Sequence, residues 1–152
     1  MGEEFDYQVI GLPLVKHLTG EGEVISSTSI RTALSDGDVE KAHRLLGRPF
    51  EVRGVVTPGD RRGRTIGFPT ANIPTTGDLQ VPSDGVYAAW YIRDDGAQYP
   101  AAVNIGKRPT FYEDADRSLV EAHLIGFRGD LYGETAKVRF VRRLRGERKF
   151  DG

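Results

Sequence analysis

The order of polar and apolar positions changes period once along the chain, at Pro49. Before it, Ile30, Ala33 and Leu34 follow the hydroxyl cluster Ser26-Ser27-Thr28, which marks a helix start, and Gly37 ends that helix. Asp38 caps a second helix whose apolar stripe is Val39, Ala42, Leu45 and Leu46, with Gly47 and Pro49 as its stop. Further upstream, Val9-Ile10 and Leu12 to Val15, interrupted by Gly11 and followed by Gly20 and Gly22, predict one strand and a loop. After Pro49 the period is 2. Phe50, Val52 and Val55-Val56 open the series, followed by Val86, Ala88, Trp90 and Ile92, then Tyr99, Ala101, Val103 and Ile105. Leu119 to Ile125 and Lys137 to Val141 add two more segments. The turn signals Pro58-Gly59, Ser83-Asp84-Gly85, Asp94-Asp95-Gly96 and Gly129-Asp130 lie between them. Short strands at this spacing predict an antiparallel barrel or sandwich, because closure removes exposed edges.

Composition sharpens this picture. The 19 glycines and 8 prolines among 152 residues exceed the roughly 12% usual for globular chains and favour strands and turns over a helical bundle. With 21 basic and 22 acidic residues the formal net charge is -1, so no global field recruits nucleic acid or an anionic membrane, and any anion site must be local. The absence of cysteine excludes disulfides, thiolate zinc sites and a cysteine nucleophile, and points to a reducing compartment, the cytoplasm. Met1 to Tyr7 is acidic and has no apolar run, so neither a signal peptide nor a membrane anchor is expected. His17, His43 and His123 are too far apart to suggest a histidine metal site.

The densest candidate chemistry runs from Gly59 to Asn72. Gly59, Gly63 and Gly67 are spaced by four with Arg61, Arg62 and Arg64 among them, so backbone amides and guanidinium forks could approach phosphate oxygens. The spacing matches neither a Walker A loop nor a dinucleotide fingerprint, and by itself a flexible, charged hairpin connection is the simpler explanation. Thr70 and Asn72, two residues apart in an extended segment, share a face. Their hydroxyl and amide oxygens suit Mg²⁺ that brings phosphates and waters of its own, although such residues also commonly bond local turn backbone. In Leu119 to Ile125, Glu121 shares a largely apolar face with Leu119, His123 and Ile125, where a carboxylate can act as proton acceptor or simply face solvent. Arg128-Gly129-Asp130 reads as a turn. The basic run Lys137, Arg139, Arg142, Arg143, Arg145, Arg148 and Lys149 suits nucleic acid or, more simply at this net charge, a solvated strand face.

Five blocks occur in a telling order: Gly63 to Asn72 (GRTIGFPTAN), Asp84 to Tyr87 (DGVY), Asn104 to Phe111 (NIGKRPTF), Val120 to His123 (VEAH) and Leu131 to Gly133 (LYG). Together they resemble riboflavin kinase across residues 47 to 150. Residues 1 to 46 resemble the tail of the adenylyltransferase module that precedes the kinase in bacterial bifunctional FAD synthetases, with Ile25 to Arg31 as a phosphate-binding helix start. The resemblance implies a mainly β fold, a six-stranded antiparallel Greek-key barrel over 47–152 preceded by a short α-helical remnant over 1–46.

The activity implied is ATP-dependent phosphorylation of the riboflavin 5′-hydroxyl to FMN. In that reading Thr70 and Asn72 hold Mg²⁺ and the phosphates. Gly59, Arg64, Gly67 and Phe68 border the nucleotide, Glu121 accepts the hydroxyl proton, and Asn104 and Arg108 border the flavin. The partners are riboflavin or FMN and ATP or ADP, with no membrane or nucleic acid. The adenylyltransferase's nucleotide-binding signature is missing, so no FMN adenylyltransferase activity is expected from this chain alone. The family's closing C-terminal helix is also missing after Phe150, which implies weakened flavin binding. The alternative from another class is a non-catalytic small barrel that binds nucleotide or single-stranded nucleic acid through arginines and aromatics.

Overall fold

Ser26 and Ser29 cap the first helix reciprocally. The Ser26 hydroxyl accepts from the Ser29 amide at 3.1 Å, and the Ser29 hydroxyl accepts from the Ser26 amide at 3.0 Å. That helix, α1, is Ser27–Ser35. The second, α2, is Val39–Leu46; the Asp38 carboxylate accepts from the Lys41 amide at 2.8 Å, and Gly47 ends the helix in the left-handed region at φ 70°. The computed structural model describes residues 8–16, 22, 24–58, 70–107 and 118–146.

Six strands follow: β1 (Glu51–Val55), β2 (Thr70–Pro74), β3 (Gly85–Ile92), β4 (Gln98–Lys107), β5 (Ser118–Leu124) and β6 (Thr135–Arg145). They form one antiparallel sheet in the order β1-β6-β3-β4-β5-β2. β3, β4 and β5 are a meander, and β6 returns to lie beside β3, which is the Greek-key arrangement the resemblance implied. The two edges meet where Thr57, just past β1, bridges to Asn72 of β2, so the sheet curls into a nearly closed barrel.

Alternate residues of every strand fill the interior. Val52, Ala71, Ile73, Val103, Ile105, Val120, Ala122, Ala136, Val138 and Phe140 are almost wholly buried, and Ala33, Leu34, Val39 and Ala42 of the helices join the same apolar cluster. On β3 the apolar set that marks the strand in the sequence is not the set that fills the core. Tyr87, Ala89 and Tyr91 point inward, whereas Trp90 is exposed and Val86 and Ala88 are half-buried on the outer face; of the predicted set Ile92 alone is buried. The tyrosines can occupy the core because their hydroxyls find acceptors: Tyr87 donates to the Ser83 carbonyl at 2.6 Å and Tyr91 to Glu134 at 2.8 Å. The Tyr87 ring meets Phe140 edge-on, with centroids 5.4 Å apart.

The strand expected upstream of α1 is reduced to a bridge between Lys16 and Val24. Val9, Ile10, Leu12, Leu14 and Val15 remain exposed, so no buried face stabilises a longer ladder there. The described part of the basic run lies on β6. Arg139 pairs with Glu51 at 2.7 Å, Arg142 with Glu40 at 3.2 Å, and Arg143 donates to the Asp84 carbonyl at 2.9 Å. These cations hold β1, α2 and the loop before β3 against the strand. Arg148 and Lys149 lie outside the described residues.

Between α1 and α2, Gly37 has φ 75°, and a Cβ there would stand 2.7 Å from the Ser83 hydroxyl and 2.9 Å from the Tyr87 hydroxyl. The Ser83 amide also donates to the Leu34 carbonyl at 3.0 Å, so this contact docks the helices on the barrel. Gly37→Ala is expected to lower stability by at least about 1–2 kcal/mol from backbone strain alone, measured by chemical denaturation; an unchanged midpoint would show that the junction yields freely.

Burial, reinforced by the hydrogen bond to Glu134, holds the Tyr91 phenol well above its ordinary pKa of 10.0. The unfolded chain releases that proton first as pH rises, so this contribution to stability is complete below about pH 10 and falls above it. Tyr91→Phe is expected to flatten the alkaline fall in denaturation midpoint between pH 9 and pH 11. Parallel curves for parent and variant would contradict this.

Candidate active site

Register, rather than loop geometry, builds the site. β5 lies between β2 and β4, and Glu121 stands directly opposite Asn72 on one side and Asn104 on the other. Directly opposed residues of antiparallel strands share a face, with Cβ atoms roughly 4.5–5.5 Å apart. Because Ala71, Val103 and Ala122 point into the core, Asn72, Glu121 and Asn104 stand on the outer face of the barrel wall in one row. Two residue pairs further along, Thr70 faces His123 on the same surface. Asn72 is 5% exposed, an unusual degree of burial for a carboxamide on an outer face, and Thr70, Glu121 and Asn104 are half-buried. No buried side-chain nitrogen or oxygen among the described residues lacks a hydrogen-bond partner, so Asn72 is held rather than stranded.

Four sequence-derived candidates, Thr70, Asn72, Asn104 and Glu121, are thus brought onto one surface. Gly59, Arg64, Gly67, Phe68 and Arg108 lie outside the described residues. One participant that the sequence did not mark is Thr57. Its amide and its hydroxyl both donate to the Asn72 carbonyl, at 2.8 and 3.3 Å. Nothing in the sequence pattern signals it, because it acts on the backbone of a residue fifteen positions away.

Chemically the row is a carboxylate flanked by two carboxamides, with a hydroxyl beside it. The carboxylate can accept a proton, the carboxamides can donate to or accept from a polar substrate, and the Thr70 and Asn72 oxygens are hard neutral donors. Among the described residues no group of three His, Asp or Glu side chains could hold a metal by itself. The Thr70 and Asn72 oxygens would fit Mg²⁺ as two hard ligands, with phosphate oxygens and waters supplying the rest.

A shallow groove of about 730 Å³ that none of the row residues lines is bordered by Arg31 and Ser35 of α1, Leu79 and Asp84 before β3, and the cross-strand pair Lys107 and Ser118. That pair is three residues along the strands from Asn104 and Glu121, roughly 10 Å. No helix of the described residues is long and apolar enough to cross a membrane.

Comparison with known proteins identifies the family. The riboflavin kinase (flavokinase) family model matches residues 46–152. The chain is 46% identical over 143 residues to a bifunctional riboflavin kinase/FMN adenylyltransferase of Bacillus subtilis, covering 93% of this chain and 45% of that protein. It is 43% identical over 131 residues to the protein of the same description from Escherichia coli K12, covering 86% and 41%. Among solved structures, one described as a macrolide-efflux protein from Streptococcus pneumoniae superposes with a TM-score of 0.80 at 40% identity, covering 99% of this chain and 47% of that one. The chain spans less than half the length of these relatives. The family model covers well over half of the chain and its barrel, and both relatives carry the kinase in their names, so this chain belongs to the riboflavin kinase family.

Proposed function

We propose that this chain transfers the γ-phosphoryl group of Mg-ATP to the 5′-hydroxyl of riboflavin, giving FMN and ADP. The observation that carries the reading is the cross-strand row Asn104–Glu121–Asn72, which sets a proton acceptor between two carboxamides on one rigid wall. The relatives' names support it, and they also support reading the chain as the kinase half of a two-activity protein.

In this reaction the riboflavin 5′ oxygen forms a bond to the γ-phosphorus. The bond from that phosphorus to the β,γ-bridging oxygen breaks, ADP leaves with the electron pair, and the hydroxyl proton passes to the Glu121 carboxylate. Thr70 and Asn72, on β2 beside Glu121, would hold Mg²⁺ together with the phosphates. Mg²⁺, when bound, neutralises charge on the phosphate oxygens. Asn104, on the β4 side, aligns the acceptor. Gly59, Arg64, Gly67 and Phe68 bordering the nucleotide, and Arg108 the flavin, complete the proposal on the strength of the family resemblance. Phosphoryl transfer asks chiefly for positioning and charge neutralisation, so a few polar groups on a stiff sheet suffice. The rival reading, a non-catalytic barrel that binds nucleotide or single-stranded nucleic acid through arginines and aromatics, has less support from its arginines, because Arg139, Arg142 and Arg143 are engaged with Glu51, Glu40 and the Asp84 carbonyl.

Incubation with riboflavin and Mg-ATP, followed by chromatography of the flavins, is expected to yield FMN. No FMN would reject the reading. Glu121→Gln is expected to lower kcat by about 10²- to 10⁴-fold while Mg-ADP affinity changes little. Turnover at the parent rate would make Glu121 an ordinary strand residue. Asn72→Ala is expected to raise the KM for Mg-ATP more than that for riboflavin; the opposite order would place Asn72 on the acceptor side.

A further inference from the structure

The barrel's closure and its site meet at one residue. β1 and β2 are the two edges of the sheet, and the bridge between them is Thr57 to Asn72. A carbonyl oxygen has two lone pairs, and at Asn72 Thr57 approaches with two donors, the amide at 2.8 Å and the hydroxyl at 3.3 Å. The amide alone would suffice to join the strands. The hydroxyl adds a second restraint on the orientation of the Asn72 peptide, and so on the direction in which its carboxamide leaves the sheet.

Thr57 itself is firmly mounted. The neighbouring Val56 is 1% exposed, and its amide donates to the Glu134 carbonyl at 3.0 Å while its carbonyl accepts from the Gly133 amide at 2.9 Å. The Glu134 carboxylate is in turn held by Arg93 at 2.7 Å and by the Tyr91 hydroxyl at 2.8 Å. Near the bridge the edges approach closely: a Cβ on Gly54 would fall 2.6 Å from Ile73 Cγ2, so a shift of β1 is transmitted to β2. Asn72 is therefore gripped from one side by Thr57 and paired on the other with Glu121.

We propose that Thr57 is a positioning residue for the phosphate-binding edge of the site, aiming the Asn72 carboxamide through its clamp on the Asn72 carbonyl. This deepens the reading of the chain as a riboflavin kinase and rests on it. Because Thr57 acts on β2 and not on β4, its loss weakens nucleotide binding and leaves the acceptor side unaffected. The hydroxyl, not the β-branched shape, is the working group.

The test compares Thr57→Val, which keeps the shape and the amide but loses the hydroxyl, with Thr57→Ser, which keeps the hydroxyl, both in the full 152-residue chain. Thermal unfolding, calorimetric Mg-ADP affinity and the two KM values are measured on each. The expected result for Thr57→Val is a rise of about fivefold in the Mg-ADP Kd and the Mg-ATP KM, the loss typical of one hydrogen bond. Riboflavin KM should change less than about twofold and the thermal midpoint by no more than about 3 °C, and Thr57→Ser should restore nucleotide affinity. Unchanged Mg-ADP affinity in Thr57→Val overturns the proposal, as does an equal loss in Thr57→Ser or a loss shared by both substrates. A collapse of thermal stability alongside the loss also overturns it, in favour of simple closure. If the parent binds Mg-ADP but makes no FMN, the kinase reading fails while the calorimetric comparison still decides the role of Thr57; a parent that does neither overturns both.

Discussion

Ala122 of β5 lies between Ala71 and Val103, and Val120 lies between Ile73 and Ile105; all six are 0% exposed. Side chains alternate along a strand, so a slip of one residue would drive Glu121 and His123 into this interior and push Val120 and Ala122 out. Burying an unpaired carboxylate costs far more than any gain such a slip could offer, so the core holds the register firmly. The same register sets Glu121 between Asn72 and Asn104. The apolar inside of the barrel thus determines the polar row on its outside, and the site needs no loop to bring its described members together.

Closure depends on a smaller number of groups. The edges β1 and β2 meet through Thr57 and Asn72, and the Arg93–Glu134–Tyr91 cluster steadies the chain just before Thr57. The helices add to the barrel from another side, with Gly37 pressed against Ser83 and Tyr87 and the β6 arginines reaching Glu40 of α2 and the carbonyl of Asp84. Their apolar residues Ala33, Leu34, Val39 and Ala42 belong to the same cluster as the barrel core. Helices and barrel therefore reinforce one another through packing as well as through exposed ion pairs, which individually contribute little.

Much of this was legible in the chain. Both helices announce themselves by Ser26 and Asp38 at their starts and by Gly37 and Gly47 near their ends, because capping is a local interaction. β4 and β5 alternate cleanly, and that alternation put Glu121 on one face with Leu119 and His123, which the structure shows to be the outer one. β3 was legible as a strand but not in which face it buries: Val86, Ala88 and Trp90 are the conventional apolar set, yet Tyr87 and Tyr91 take the core because Ser83 and Glu134 receive their hydroxyls. Glu134 lies 43 residues from Tyr91, and no window of sequence shows that pairing. Thr70, Asn72, Asn104 and Glu121 were recognisable as a set through the family blocks, whereas spacing alone left each open to a local explanation. Thr57 escaped altogether, since a donor to a distant backbone carbonyl leaves no trace in composition or period.

The central claim is that the phosphoryl group is transferred on the outer wall of the barrel, at the row Asn104–Glu121–Asn72. A crystal structure of this chain with Mg-ADP and riboflavin tests it most directly. The account predicts the flavin 5′ oxygen within hydrogen-bonding distance of the Glu121 carboxylate, with the metal and phosphates against Thr70 and Asn72 on the β2 side. Both ligands seated instead in the groove between α1 and the Lys107–Ser118 pair, with Glu121 touching neither, would contradict it.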